Sequence, residues 1–306
     1  VVAIGSPFGL DNSVTAGMSE VIFTNRTQFV STATRNLGDG TMRLAFGYAN
    51  HRQDSFYEGM TYYGDQTQYY LEASTQQPFG QTLVTAGLSY RYEDLNSRGT
   101  DTAGVSNDGF DNYVYRTPGV FLQAYHPFLD GEVELNASVR YDDHNVFGSI
   151  VSPRVNVLWN HTHELNSRFA VGRGFRAPTS FFEQDHGILN TMRIIREIDQ
   201  AETSDNASYA LSYAGERFAT VASLNYNRIK NMALLDSSQC ENAGVIGACT
   251  GSPTEQKVTI FTSAQSPVTV TGGDITMTYK ITPQLEGSVA AEHFIYSFSD
   301  PGTLVF

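Results

Sequence analysis

The densest group of chemically capable side chains lies at 181–186, where Phe181 and Phe182 precede Glu183, Asp185 and His186. Carboxylate oxygens and an imidazole suit a hard or borderline cation. Adjacent aromatic rings would instead stack on a flat metal chelate. The plainer account of the same residues is a solvated loop face. Just upstream, Arg176 would attract negative charge, against the demand of the two acids, so these residues leave the charge of a ligand open. His161, His163 and Glu164 form an H-x-H pair with a neighbouring acid, in a segment that reads as a short exposed turn. His51, His126, His144 and His293 are isolated in sequence and read as surface residues.

Cys240 and Cys249 are the two cysteines of the chain and sit among Gly, Ser, Asn and Pro. That setting suggests a loop disulfide and an oxidising compartment, the alternative being two free thiols. A metal site would need more ligands nearby. No nucleophile elbow, phosphate loop, metalloprotease helix or dinucleotide fingerprint occurs. No catalytic residue, resident metal or cofactor is therefore assigned. Asp142 and Asp143 are adjacent, so on a strand they would point to opposite faces.

The elements that must position these groups are strands. Over 133–141 the odd positions are Val133, Leu135, Ala137, Val139 and Tyr141, and the even ones Glu134, Asn136, Ser138 and Arg140. Val84, Ala86, Leu88, Tyr90 and Tyr92 alternate in the same way with Thr85, Gly87, Ser89 and Arg91, and a third run covers 218–226. Period-2 alternation holds one face in an apolar medium and the other against polar groups or water. Only 190–198 has the spacing of a short helix. Twelve strands are expected near 21–35, 41–52, 67–76, 82–93, 113–126, 131–142, 152–160, 166–176, 196–213, 217–231, 257–281 and 284–296.

The joints between them alternate in length. Short ones carry Leu37-Gly38-Asp39-Gly40, Gln77-Pro78-Phe79-Gly80, Pro127-Phe128-Leu129-Asp130, His161-Thr162-His163-Glu164, Ala214-Gly215-Glu216 and Thr282-Pro283. Long ones fall near 53–66, 94–112, 143–151, 177–195 and 232–256. A soluble sandwich has no reason to separate its turns this way, whereas an outer-membrane barrel has short periplasmic turns and long extracellular loops. Tyr90, Tyr92, Tyr141 and Trp159 fall toward strand ends, where interface aromatics belong.

Composition narrows the classes further. With Lys+Arg 19 against Asp+Glu 32 the formal net charge is −13, and Lys occurs only at 230, 257 and 280. No basic cluster exists in the sequence to meet nucleic-acid phosphates. The longest apolar run, Gly included, is the seven residues 243–249, far short of the roughly 20 that a membrane helix needs. The first residues do not read as a signal peptide.

Residues 152–178 contain Ser152-Pro153-Arg154, then Arg168 and Gly172, then Gly174-Phe175-Arg176-Ala177-Pro178. This resembles the barrel of TonB-dependent outer-membrane receptors, in which an SPR strand is followed by an R-x-x-x-G-x-G-F-R-A-P strand. The likeness continues at Glu202-Thr203-Ser204-Asp205-Asn206 and at 226–231, and departs at Gly272-Gly273-Asp274, where the family has Gly, an apolar residue and Glu. It covers about 130–281. The motif residues are expected to be architectural: glycines relieving crowding at the lumen, Pro178 ending the ladder, and Arg168, Arg173 and Arg176 facing a polar lumen.

The resemblance implies an antiparallel up-and-down transmembrane β-barrel and the active import of a scarce ligand such as a ferric siderophore, haem or cobalamin. It implies a Gram-negative outer membrane, with membrane lipid and lipopolysaccharide as surroundings and the TonB-ExbB-ExbD complex as energy source, reached through a plug segment. On this reading residues 1–306 are one barrel domain fragment without the plug or TonB box. Rival classes are a passive porin, a secreted β-rich adhesin or carbohydrate-binding protein, and an outer-membrane lipase or protease. Ligand contacts are assigned to Arg176, Phe181, Phe182, Glu183, Asp185 and His186.

Overall fold

The computed structural model describes residues 20–57, 60–100, 112–179, 193–299 and 303–304. Its first half is a meander of β1 (Glu20–Leu37), β2 (Gly40–Tyr57), β3 (Met60–Phe79), β4 (Thr82–Thr100), β5 (Tyr113–Phe128) and β6 (Val133–His144). There follow β7 (Gly148–Asn160), β8 (Leu165–Arg176), β9 (Arg193–Arg196), β10 (Glu202–Ala214), β11 (Phe218–Lys230) and β12 (Ala233–Asn242). The last five are β13 (Val245–Ala248), β14 (Gln256–Ser263), β15 (Val268–Thr282), β16 (Leu285–Ser297) and β17 (Thr303–Leu304).

Twelve strands form one antiparallel sheet in the order β1-β2-β3-β4-β5-β6-β7-β8-β10-β11-β15-β16. Each pairs with its successor, except that β9 and β12–β14 are set aside in a smaller sheet. β1 and β16 do not pair with each other, so the sheet is not closed, as a fragment of a larger barrel requires. Positive backbone φ falls where tight reversals demand it, at Gly38 and Gly80 (62° each), and glycine adopts that conformation without steric cost.

Register divides the sheet into two unlike faces. Leu44, Ala73, Leu88, Val120, Tyr141 and Val151 are partners across six strands and share one face. That face stays bare: Leu88 is 62% exposed and Leu224 66%. The opposite face of β5 instead buries Tyr113, Tyr115, Thr117 and Gly119. Val133 and Leu135 belong to the apolar face with Tyr141, as the alternation demands. A sheet this long with its apolar side bare is suited to hydrocarbon, and the other side is the polar one. On β3, Phe79 marks one end of the apolar face and Tyr69 the other. Roughly ten residues at about 3.3 Å rise, tilted about 40°, span roughly 25 Å, the height of an outer-membrane apolar band. Tyr48, Tyr69 and Tyr92 sit side by side at the upper edge, with ring centroids 5.3 and 5.8 Å apart. Phe128, Trp159 and Tyr279 stand exposed near the turn end.

Several sequence expectations are corrected. The loops expected near 53–66 and 143–151 are largely strand, and so is 94–100, the described start of the loop expected near 94–112, because β2, β3, β4, β6 and β7 continue past the upper aromatics. Beyond that edge the outer face leaves the apolar band and polar residues such as Gln53, Asp54 and Ser55 are buried on both faces of β2, so apolar alternation stops while ladder hydrogen bonding goes on. The span expected at 257–281 is two elements, β14 and β15, and 196–213 is divided between β9 and β10. The helix expected at 190–198 is absent from its described part. Residues 193–196 form β9, which pairs in parallel with β14 through Ile194↔Thr259 and Ile195↔Ile260.

Candidate functional site

The polar face carries a connected set of charges at mid-height. The Arg140 guanidinium holds Asp142 through Nε (2.9 and 2.8 Å) and Nη2 (2.6 Å), and also donates to Ser89 Oγ at 2.7 Å. Two residues apart on one strand, these side chains point the same way. They lie over Gly119, where a Cβ would collide with both. On β3, Tyr70 donates to Glu72 at 2.6 Å and Ser74 to the same carboxylate at 3.2 Å, while Arg43 approaches it at 3.6 Å. Asp142 is buried and Asp143 exposed, so the adjacent acids do point to opposite faces.

Above this network the polar face becomes aromatic. Tyr113 and Tyr115 stack at 4.3 Å, Tyr115 meets His144 edge-on at 4.8 Å, and Leu95, Phe147 and Ala177 complete the cluster. His144 is only 2% exposed, which corrects its assignment to the surface. Its Nδ1 accepts the Val146 and Phe147 amides at 3.2 and 3.3 Å, its Nε2 has no hydrogen-bond partner among the described residues, and burial pushes its pKa down. The ring is therefore neutral at pH 7, with the proton on Nε2. The Tyr115 hydroxyl donates to the Pro178 carbonyl at 2.5 Å, pinning the end of the GFRAP run.

On its other side that run is held by Glu202. Arg176 Nε and Nη2 donate to Glu202 at 2.5 and 2.8 Å, and the buried Ala233 amide donates to the same carboxylate at 2.7 Å. One side chain thus joins the exit of β8, the start of β10 and the start of β12. The small sheet that begins there packs Ala233, Leu235 and Phe261 on Ile198 and carries the bonded pair Cys240–Cys249, Cα–Cα 4.9 Å.

Arg168, Gly172, Gly174 and Arg176 occupy the polar face of β8, with Ser152 and Arg154 on that of β7. Gly172 faces Arg154, whose side chain leaves a Cβ only 3.3 Å; Gly174 meets no such crowding. Pro153 and Phe175 point outward. So does Arg173, contrary to expectation: an odd offset from Arg168 and Arg176 places it on the outer face, 2.7 Å from Asp205. Phe181, Phe182, Glu183, Asp185 and His186 lie outside the described residues. His161 Nε2 faces Ser167 Oγ at 2.8 Å, and among the described residues no group of three His, Cys, Asp or Glu side chains could hold a metal. The arrangement offers hydrogen bonds, charge and aromatic surface for binding.

Residues 5–303 match the family described as TonB dependent receptor-like, beta-barrel, and the chain belongs to that family. The family comprises receptors and transporters rather than enzymes. The siderophore receptor PirA from Pseudomonas aeruginosa superposes with a TM-score of 0.69 at 17% identity, over 92% of this chain and 51% of that one. The alcaligin outer-membrane receptor FauA from Bordetella pertussis gives 0.62 at 14%, over 94% and 49%. The FrpB iron transporter from Neisseria meningitidis, F5-1 variant, gives 0.67 at 16%, over 92% and 46%. These likenesses carry the fold, and the chain spans about half the length of the solved structures it matches. No curated protein matches the sequence.

Proposed function

We propose that this chain is part of the wall of an outer-membrane receptor that imports a scarce ligand, of the ferric siderophore, haem or cobalamin type. The observation that carries the reading is a sheet of one receptor-barrel family with a bare apolar face and a charged, hydrogen-bonded opposite face. Siderophore receptors and iron transporters of similar fold support it, and a copper transporter of similar fold widens the metal. The surroundings on this reading are outer-membrane lipid and lipopolysaccharide of a Gram-negative cell, with a TonB-ExbB-ExbD complex supplying energy.

Ligand contacts are assigned to Phe181, Phe182, Glu183, Asp185 and His186. They follow a root, Arg176 to Pro178, that is pinned on both sides at the mouth of the polar face. Arg176 serves there first as Glu202's partner and only through its exposed half as a charge for the ligand. The test is growth rescue by a panel of iron chelates, haem and cobalamin, with the full-length protein in a strain lacking its own receptors. Rescue by one chelate that requires an energised TonB system supports the reading. Uptake that continues without that system would make the protein a porin.

A further inference from the structure

The outer face above the apolar band carries charge at one place on neighbouring strands. Asp205 on β10 stands opposite Arg173 on β8 and opposite Arg228 on β11, and Lys230 follows two residues on. The carboxylate accepts from Arg173 Nε at 2.7 Å and from Lys230 Nζ at 3.0 Å. Arg228 is exposed and enters no ion pair among the described residues. Three cations against one carboxylate leave this patch at +2, on a chain whose formal charge is −13. The adjoining outward positions Pro153, Thr203 and Thr269 carry no charge.

Height decides what the patch can meet. Arg173 and Arg228 lie one outward position beyond Val171 and Tyr226 and one short of the outward Phe175, so they stand within the aromatic edge of the outer face, at the level of lipid headgroups rather than acyl chains. An ion-pair ladder is the simpler account, but one carboxylate offsets one cation. The other two guanidinium or ammonium groups face the membrane surface uncompensated. Guanidinium groups pair with phosphate in a fork, and Lys adds a point charge.

We infer that Arg173, Arg228 and Lys230 form a docking site for the phosphorylated headgroup of an outer-leaflet glycolipid, with Asp205 fixing the spacing of two of the three cations. The inference rests on the reading that the sheet spans the outer membrane, and it adds the residues and the chemical group that the lipid presents. It does not depend on which ligand is imported.

The experiment uses the full-length receptor purified in detergent, mixed with lipopolysaccharide or with its enzymatically dephosphorylated form, and weighed intact by native mass spectrometry. The wild type is expected to retain the phosphorylated lipid, and Arg173→Gln/Arg228→Gln/Lys230→Gln to retain about tenfold less. The dephosphorylated lipid should be held equally weakly by both. Equal retention of the phosphorylated lipid by wild type and variant overturns the site, as does a matching loss in Arg52→Gln, which removes an outer-face cation on distant β2. If the triple variant does not assemble, Arg228→Gln alone breaks no ion pair and must lower retention about threefold; no change overturns the site. A receptor without this site would still rescue growth in the uptake assay, so the two failures are separable.

Discussion

Replacing Glu202 by Ala removes one carboxylate that serves three segments. The Ala233 amide, buried with its residue at 1% exposure, loses its acceptor. An unsatisfied buried donor costs about 1–3 kcal/mol. Arg176 loses a bidentate partner, but its side chain is 51% exposed and rehydrates, so that part adds no more than about 1 kcal/mol. The total is roughly 1–4 kcal/mol, concentrated where β12 leaves the wall. Opening of β12 and β14 should become easier by a factor of at least about five, at about 1.4 kcal/mol per decade. Hydrogen exchange of the full-length protein, read by mass spectrometry on peptides covering 232–242 and 256–263, measures this directly. Peptides from β5 serve as the unaffected reference. Glu202→Gln keeps an acceptor for the amide and should recover much of the protection. Exchange in β12 that changes less than about threefold in Glu202→Ala would refute the view that this carboxylate anchors the small sheet.

Asp205 is held down to a pKa of about 2, first by the Arg173 hydrogen bond and then by Lys230, against an ordinary 3.8. A depressed carboxyl contributes stability fully above its unfolded pKa and loses it as pH falls through the folded one. The melting difference between wild type and Asp205→Asn should therefore be constant above about pH 4 and vanish by about pH 2; a difference independent of pH contradicts the pairing. Gly119→Val would drive a side chain into Arg140 and Asp142 and, as overpacking, cost about 1–3 kcal/mol in chemical unfolding from detergent, while the same change at uncrowded Gly174 should cost less. Leu88→Arg, on the apolar face, should lower folding stability by about 2–4 kcal/mol in bilayers, and an effect near zero would mean Leu88 does not face lipid. Ser substitutions of Cys240 and Cys249 release a short loop and should cost no more than about 2–3 kcal/mol, confined to exchange in β12–β14. Phe182→Ala with His186→Ala should weaken ligand binding at least tenfold, about 1.4 kcal/mol, with barrel assembly unchanged; unaltered affinity removes these residues from the site.

What was legible in the sequence follows the media the chain meets. Between Phe79 and Tyr69 the two faces of β3 see lipid and lumen, so alternation reports both the strand and its orientation. Above Tyr69 the outer face has left the lipid, and the polar outward residues Asn50 and Thr67 carry no signal that the hairpin continues. Arg173 was legible too, by parity: it is odd where Arg168 and Arg176 are even, and a strand cannot point all three the same way. Ile194 and Ile195 gave no such sign, because a four-residue strand held by a distant partner has no period to read. Partnerships across the ladder, such as Arg176 with Glu202, depend on register between segments 26 residues apart. Family motifs can mark those residues without saying what they touch.

Labels placed in adjacent pairs test the central claim, that one face of this sheet meets lipid and the other a polar lumen. Spin labels at 88 and 89 on β4 and at 223 and 224 on β11, in the full-length protein reconstituted in bilayers, are read for collision with oxygen and with a water-soluble nickel chelate. The account predicts that 88 and 224 collide mainly with oxygen, and that 89 and 223 are shielded from it and reached by the chelate. Equal accessibility within each pair, or the reverse preference, would contradict it.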